Sequence, residues 1–92
     1  MPSSVIDSFH YDWEDAVLYV RFVSGELYRY DDVPARVPAA WLGAASKGQF
    51  FGTHVRPAYE GERLGRDAQP PPAAERLWPT RPYDPVSPRP VA

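Results

Sequence analysis

The sequence predicts an α+β domain: a three-stranded antiparallel β-meander packed against two short α-helices, with an extended proline-rich tail at the C-terminus. Three observations lead to this prediction. Apolar and polar side chains alternate between residues 5 and 31 with the period of two that strands show. Apolar residues between positions 37 and 59 have helical spacing. Four prolines precede residue 60, whereas eight follow it, which places a boundary between a folded unit, residues 1–60, and a tail, residues 61–92.

A hairpin joins the two strands that alternate most regularly, and the length of its loop decides which face is buried. A two-residue loop would place Val20 opposite a charged residue. A three-residue loop, with Gly25 in the left-handed conformation of a bulge, places Val20 opposite Tyr28 and Leu18 opposite Tyr30. The second register keeps one face of the hairpin apolar, and we therefore predict it.

The remaining elements flank this hairpin. Residues 5–11 alternate less regularly and are predicted as a third antiparallel strand. A first helix is predicted to be well formed from Pro38, because proline suits the first turn of a helix. Ser46 and Gln49 match a capping box, which predicts the start of a second helix. Pro57 is expected to end or distort that helix.

Composition limits the classes of protein to consider. The chain has 92 residues, a net charge of −2, no cysteine and two histidines. A disulfide framework is excluded, and neither a metal site nor a cofactor is predicted. No apolar run approaches the roughly 20 residues of a membrane helix, and the N-terminus lacks a signal pattern. We therefore expect a cytoplasmic protein without a membrane partner.

The order of side chains along residues 4–60 resembles that of a known family. The residues that carry the resemblance are Ile6, Tyr11-Asp12, Leu18, Val20, Phe22, Gly25, Tyr28, Tyr30, Val33-Pro34, Ala45-Ser46, Gly48, Phe51, Val55-Arg56 and Tyr59. This pattern is similar to the KTSC domain, a module at the C-terminus of some lysyl-tRNA synthetases that also occurs as short bacterial and phage proteins. The resemblance implies a non-catalytic binding module, with RNA as a suggested ligand.

Basic and aromatic residues in the folded unit are the candidates for contact with RNA. They are Tyr19, Arg21, Arg29, Lys47 and Arg56. On the predicted register Tyr19 lies across from Arg29, so one sheet face interleaves an aromatic ring with guanidinium groups. The alternative is an ordinary solvated face, because residues 1–60 hold five basic and eight acidic side chains and phosphate binding depends on positive charge.

Other motif residues are predicted to be structural. They are Tyr28, Tyr30, Ser46, Gly48, Phe51 and Tyr59. The two strand tyrosines could stack on bases, but the predicted register places them on the core side. Ser46 and Gly48 could cradle a phosphate at a helix N-terminus, but helix capping explains this short motif without a ligand. Arg56 also has a structural alternative, a contact with a helix C-terminus or with an acidic residue such as Asp31 or Asp32.

No catalytic residue is predicted, and we do not expect an enzyme. His10 and His54 lack the sequence context of a catalytic motif. The adjacent carboxylates Asp31 and Asp32 make a poor acid–base pair, because neighbouring side chains on a strand point to opposite faces.

The proline-rich tail offers a second binding hypothesis, an adaptor that docks on a partner protein. Its candidate residues are Pro79, Arg81, Pro82, Pro85 and Pro88. The prolines recur every three residues and would line one edge of a polyproline II helix, which aromatic grooves recognise. A solvated extension is one alternative. In another, Trp78 and Tyr83 fold the tail back onto the domain or onto a neighbouring copy.

Overall fold

The structure, a computed structural model, describes residues 5–79 and has a five-stranded antiparallel sheet at its centre. The strands are β1 (Ile6–Asp12), β2 (Val17–Phe22), β3 (Leu27–Tyr30), β4 (Gly61–Gly65) and β5 (Glu75–Trp78). Their order across the sheet is β4-β3-β2-β1-β5. Two short helices, α1 (Arg36–Leu42) and α2 (Lys47–Phe50), follow β3, and a π-helical segment (Phe51–Val55) continues α2. The predicted α+β class is confirmed.

The hairpin between β2 and β3 has the predicted register. Val20 pairs with Tyr28 and Leu18 pairs with Tyr30. The amide of Gly25 donates to the carbonyl oxygen of Phe22 at 2.8 Å, and Gly25 has a φ of 98°, in the region that favours glycine. The three-residue loop with its left-handed glycine therefore forms as predicted, and it places one apolar face of the hairpin on the core.

The predicted number of strands is wrong, because two strands lie in the part of the chain that was predicted as an extended tail. Residues 61–65 pair with β3 and residues 75–78 pair with β1, so both strands are edges of the same sheet. β4 exposes three of its five residues and has one large apolar side chain, Leu64. The two large apolar residues of β5, Leu77 and Trp78, are adjacent and do not alternate with polar residues. The period-of-two signal that marks a half-buried strand is therefore missing from both segments.

The core lies between one face of the sheet and the helices. Trp41 of α1 is fully buried and stacks on Phe9 of β1 with ring centroids 3.9 Å apart. Its indole nitrogen donates to the carbonyl oxygen of Lys47 at 3.0 Å. From β5, Leu77 is buried in the same cluster, and Trp78 stacks on Phe9. Of the two residues named in the alternative in which the tail folds back, Trp78 packs on the domain, and Tyr83 lies outside the described residues.

The helices begin close to the predicted positions. α1 starts at Arg36, two residues before Pro38. Pro38 thus lies in the first turn, where the N–H that proline lacks would have no partner within the helix, so the helix can begin before it. Ser46 caps α2, since its side chain accepts a hydrogen bond from the amide of Gln49 at 3.2 Å. No helix in the described part of the chain is long and apolar enough to cross a membrane.

The second face of the sheet is also covered. The chain between β4 and β5 packs over it and forms a small cluster of buried side chains, Tyr19, Leu27 and Ala74. The guanidinium group of Arg21 donates to the carbonyl oxygens of Arg66 and Ala68 in the covering segment. This sheet therefore has two covered faces, whereas the sequence predicted helices on one face only.

Candidate functional site

An open groove of about 510 Å³ lies between the β2–β3 hairpin and α2 with its π-helical continuation. Residues of the sequence motif that line it are Phe22, Tyr28, Tyr30, Gly48, Phe51 and Arg56. We call this feature the aromatic groove. It brings together side chains from two separate parts of the chain, residues 22–30 and residues 48–56.

The local structure explains why these side chains converge. Tyr28 and Tyr30 lie on the same face of β3, because side chains two residues apart share a face. In the π-helical segment the amide of Arg56 donates to the carbonyl oxygen of Phe51 at 2.9 Å, a spacing of five residues rather than four. Phe51 is buried and Gly52 is exposed, so the helix supplies one aromatic wall and a position without a side chain.

The aromatic rings form one connected surface. The rings of Phe22 and Tyr28 meet edge to face, with centroids 5.3 Å apart, and Phe51 contacts Phe22 in the same way at 5.2 Å. Tyr28 and Tyr30 stack with centroids 6.5 Å apart. Tyr30 is buried, whereas Phe22 and Tyr28 are partly exposed. Phe22 and Tyr28 are therefore the rings that a ligand in the groove can reach.

Arginine side chains surround the groove. Arg56 lines it and forms no ion pair with any residue between 5 and 79. Arg63 and Arg66 both contact Glu26, another lining residue, at 2.7 Å and 3.6 Å. Their side chains are 65% and 69% exposed. Three arginine side chains thus lie in the groove or contact its lining, whereas Glu26 is the one carboxylate among the described lining residues.

Two ionisable groups in the groove have shifted pKa values. Burial raises the pKa of Tyr30 to about 12, and the neighbouring Tyr28 adds to this shift while Arg56 opposes it. The hydrogen bond from Arg63 lowers the pKa of Glu26. At neutral pH the groove therefore presents a neutral phenol on its floor and an ionised carboxylate held by arginine.

The predicted RNA-contact residues do not form one surface. Tyr19 pairs across from Arg29 as expected, but it is only 8% exposed, because the segment between β4 and β5 covers it. Arg21 donates to Gly25, Arg66 and Ala68 and holds that covering segment. Tyr19 therefore belongs to a buried cluster, and Arg21 anchors the covering segment.

Arg29 and Lys47, two further residues predicted to contact RNA, also have partners within the domain. Arg29 forms an ion pair with Asp31 at 3.0 Å. Lys47 donates to the carbonyl oxygen of Ala44 at 2.7 Å, and its ammonium group lies 5.5 Å from the ring centroid of Trp78. Of the five predicted contacts, Arg56 is the one that lines the aromatic groove.

Arg63 and Arg66 were missed because they fall in the segment that was predicted as tail. A sequence signal for them exists: Glu26 lies at the hairpin loop, and two arginines in residues 61–66 match its charge across a strand pair. This charge match can be recognised only once residues 61–65 are known to pair with β3.

The motif residues predicted as structural mostly pack in the core or cap a helix. Tyr30 and Phe51 are buried, and Tyr59 is partly buried against the core cluster. Ser46 caps α2. Four of the six, Tyr28, Tyr30, Gly48 and Phe51, also line the groove. Of these, Tyr28 and Gly48 are partly exposed, so these two contribute to a surface that a ligand can reach.

Of the predicted tail residues, Pro79 alone lies within the described part of the chain. It lines a small cavity on the second face of the sheet, together with Arg21 and Arg76. Arg81, Pro82, Pro85 and Pro88 lie outside the described residues, as does Tyr83. Among residues 5–79, no group of three or more histidine, aspartate and glutamate side chains is placed to hold a metal ion.

Known proteins are similar to this chain in sequence and fold. A protein of Stutzerimonas stutzeri is 42% identical over 59 residues, which are 64% of this chain and 83% of that protein. A lysine–tRNA ligase of Nostoc punctiforme is 36% identical over 61 residues, 66% of this chain but 11% of the ligase. The crystal structure of a KTSC domain protein from Yersinia pestis matches with a TM-score of 0.65 and 31% identity, covering 71% of this chain and 92% of that one.

The resemblance stated from the motif residues is therefore confirmed by an independent match. The model of one family, described as the KTSC domain, matches residues 2–59, which include β1 to β3, both helices and every motif residue that lines the aromatic groove. The chain belongs to the KTSC domain family.

Proposed function

We propose that the chain is a non-catalytic RNA-binding module and that a single-stranded stretch of RNA lies in the aromatic groove. The observation that carries this proposal is the convergence of the partly exposed ring of Tyr28 and the guanidinium group of Arg56 in one open groove. Single-stranded nucleic acids bind where aromatic side chains stack with bases and basic side chains contact the backbone.

The groove offers a stacking surface of suitable chemistry. Phe22 and Tyr28 are partly exposed and fixed by edge-to-face contact with each other, so little side-chain entropy is lost when a base packs on them. Stacking of a base on an aromatic ring contributes about 1–3 kcal/mol. One or two bases in the groove therefore supply a useful part of the binding free energy.

Phosphate contact is the second requirement. Arg56 is exposed and forms no ion pair with the described residues. Arg63 and Arg66 share the single carboxylate of Glu26, so their charge is only partly neutralised. The net charge of the chain is −2, and this local excess of positive charge is what supports attraction of a polyanion to this side of the molecule.

The relatives support the same ligand class. One protein with a segment similar to this chain is named as a lysine–tRNA ligase. A module of this family is therefore found within a protein named for tRNA, and this observation favours RNA over other polyanions.

The test is a fluorescence-anisotropy titration of the full chain against labelled single-stranded RNA and labelled tRNA at low and moderate salt. Binding is expected, and it should weaken as the salt concentration rises. Arg56→Gln should weaken binding several-fold and reduce the salt dependence by about one counterion. Arg36→Gln, an equal change of charge at an exposed position of α1, should leave binding unchanged.

A second pair of variants tests the stacking. Tyr28→Phe keeps the ring and should bind RNA as the wild type does, whereas Tyr28→Ala should lose about 1–3 kcal/mol of binding free energy. Circular dichroism of both variants shows whether the fold is kept. Absence of binding by the wild-type chain at low salt would exclude the RNA proposal and favour the adaptor hypothesis, with a protein partner for the prolines of the tail.

A further inference from the structure

A second cavity, about 260 Å³ in volume, lies on the face of the sheet opposite the aromatic groove. It is formed where β1, β2 and β5 meet the segment between β4 and β5. Its polar lining residues are Asp7, Ser8, His10, Arg21, Gln69 and Arg76. Neither the KTSC resemblance nor the proposed RNA site involves this cavity.

The charges in the cavity are not balanced. Every hydrogen bond that the Arg21 guanidinium group donates within the described part of the chain goes to an uncharged oxygen: the carbonyls of Gly25, Arg66 and Ala68 and the amide oxygen of Gln69. Within residues 5–79, neither Arg21 nor Arg76 lies within ion-pair distance of a carboxylate. Two guanidinium groups therefore share the cavity with the single carboxylate of Asp7.

His10 is the second unusual feature of the cavity. Its Nδ1 atom is buried and has no hydrogen-bond partner among the described residues, and its side chain lines the cavity. Burial lowers the pKa of His10, and Arg76 and Arg21 lower it further. A cation would be repelled by the same two arginines, so the cavity has the electrostatics of an anion site.

We propose that this cavity binds a phosphate group. The donors available for it come from two strands, β1 and β5, and from the covering segment: the hydroxyl of Ser8, the Nε2 of His10, the guanidinium group of Arg76 and the amide nitrogen of Gln69. The oxygen of the Gln69 amide accepts from Arg21, which leaves its nitrogen to donate. A phosphate group, with several acceptor oxygens and at least one negative charge, matches this set of donors.

The experiment is a titration of the full chain with sodium phosphate, followed by the imidazole resonances of both histidines in ¹⁵N-correlated NMR spectra. Ionic strength is held constant with sodium chloride. The His10 resonances should shift saturably and its pKa should rise, because a bound anion stabilises the protonated ring. The resonances of His54, which is exposed on the π-helical segment, should not respond and serve as the reference within each sample.

Two variants that change the charge of the cavity in opposite directions test the proposed phosphate site. Arg76→Gln, at an exposed position, should weaken phosphate binding about tenfold. Asp7→Asn should tighten it a few-fold, because it removes the carboxylate that faces the anion. Arg36→Gln is the matched control and should leave affinity unchanged. Equal effects of Arg76→Gln and Arg36→Gln, or shifts of His10 that sodium chloride alone reproduces, would overturn the proposal.

The source of the phosphate group is distinguished by a second probe, a uridine dinucleotide with one phosphodiester linkage. A response of His10 to inorganic phosphate alone assigns the cavity to free phosphate or a phosphate monoester. A response to both probes assigns it to nucleic-acid backbone as well. The outcome is independent of the aromatic groove, because Arg56→Gln should leave the His10 response unchanged.

Discussion

The guanidinium group of Arg21 donates a hydrogen bond to the backbone carbonyl oxygen of Ala68 at 2.7 Å, which links β2 to a segment 47 residues later in the sequence. The same group also donates to the carbonyl oxygen of Gly25 at 2.8 Å. One side chain thus ties the hairpin loop to the segment that covers the second face of the sheet.

The first prediction is that Arg21→Ala lowers the free energy of unfolding by about 2–3 kcal/mol, since hydrogen bonds to charged groups contribute about 1.5–3 kcal/mol. Urea unfolding of the full chain measures the loss. Arg29→Ala is the control, because Arg29 is 41% exposed and pairs with an exposed Asp31, and exposed ion pairs contribute little to stability. Equal losses for the two variants would contradict the clamping role of Arg21.

The second prediction tests whether β5 is part of the folded unit. Leu77 is 8% exposed and belongs to the main core cluster, so Leu77→Ala should cost about 2–4 kcal/mol of unfolding free energy. Leu42→Ala makes the same chemical change at a side chain that is 38% exposed and should cost less than about 1 kcal/mol. Two similar, small losses in urea unfolding would mean that residues 75–78 do not pack on the core.

The hairpin was predictable because its determinants are local. Gly25 and the alternation on either side of it specify both the loop and the register, and the pairing of Val20 with Tyr28 follows directly. β4 and β5 were not predictable from pattern, because β4 exposes most of its residues and the two large apolar residues of β5, Leu77 and Trp78, are adjacent and do not alternate with polar ones. They are held instead by partners distant in sequence, such as Glu26 with Arg63.

The candidate site shows the same limit. Sequence reasoning correctly paired Tyr19 with Arg29 on one sheet face, but a covering segment that follows much later in the chain buries Tyr19. Conversely, Arg56 was selected for its charge alone, and its position beside Tyr28 depends on how the helices pack against the hairpin. Face and register follow from local periodicity, whereas exposure depends on contacts between distant parts of the chain.

The third prediction concerns the close approach of β4 to β3. A Cβ atom at Gly61 would lie 2.6 Å from Cε2 and 2.7 Å from Cζ of Tyr30, a buried ring. Gly61→Ala should therefore destabilise the fold by about 1–3 kcal/mol. At Gly52 a Cβ would meet nothing within 4 Å, so Gly52→Ala should stabilise by up to about 1 kcal/mol, as expected for a helical position. Thermal unfolding should show a lower melting temperature for Gly61→Ala and a higher one for Gly52→Ala. Shifts in the same direction would contradict the close approach of Gly61 to Tyr30.

The fourth prediction concerns the cap of α2. The Ser46 side chain accepts from the amide of Gln49 at 3.2 Å, and Ser46→Ala should cost about 1 kcal/mol. Ser24, in the hairpin loop, accepts from the amide of Glu26 at 3.4 Å, a weak contact at an exposed position, so Ser24→Ala should change stability by less than about half as much. Ser46→Thr keeps the acceptor and should restore most of the loss in urea unfolding.

The fifth prediction concerns pH. In the folded chain, burial lowers the pKa of His10 below its ordinary value of 6.5. The neutral side chain therefore contributes stability that is fully present above pH 6.5 and is lost as the pH falls below that value. The wild-type protein should therefore lose unfolding free energy as the pH falls below 6.5, and His10→Gln should lose less. His54→Gln, at an exposed position, should behave as the wild type. Urea titrations in phosphate-free buffers measure these slopes, and an unchanged slope for His10→Gln would show that burial of His10 does not govern the acid response.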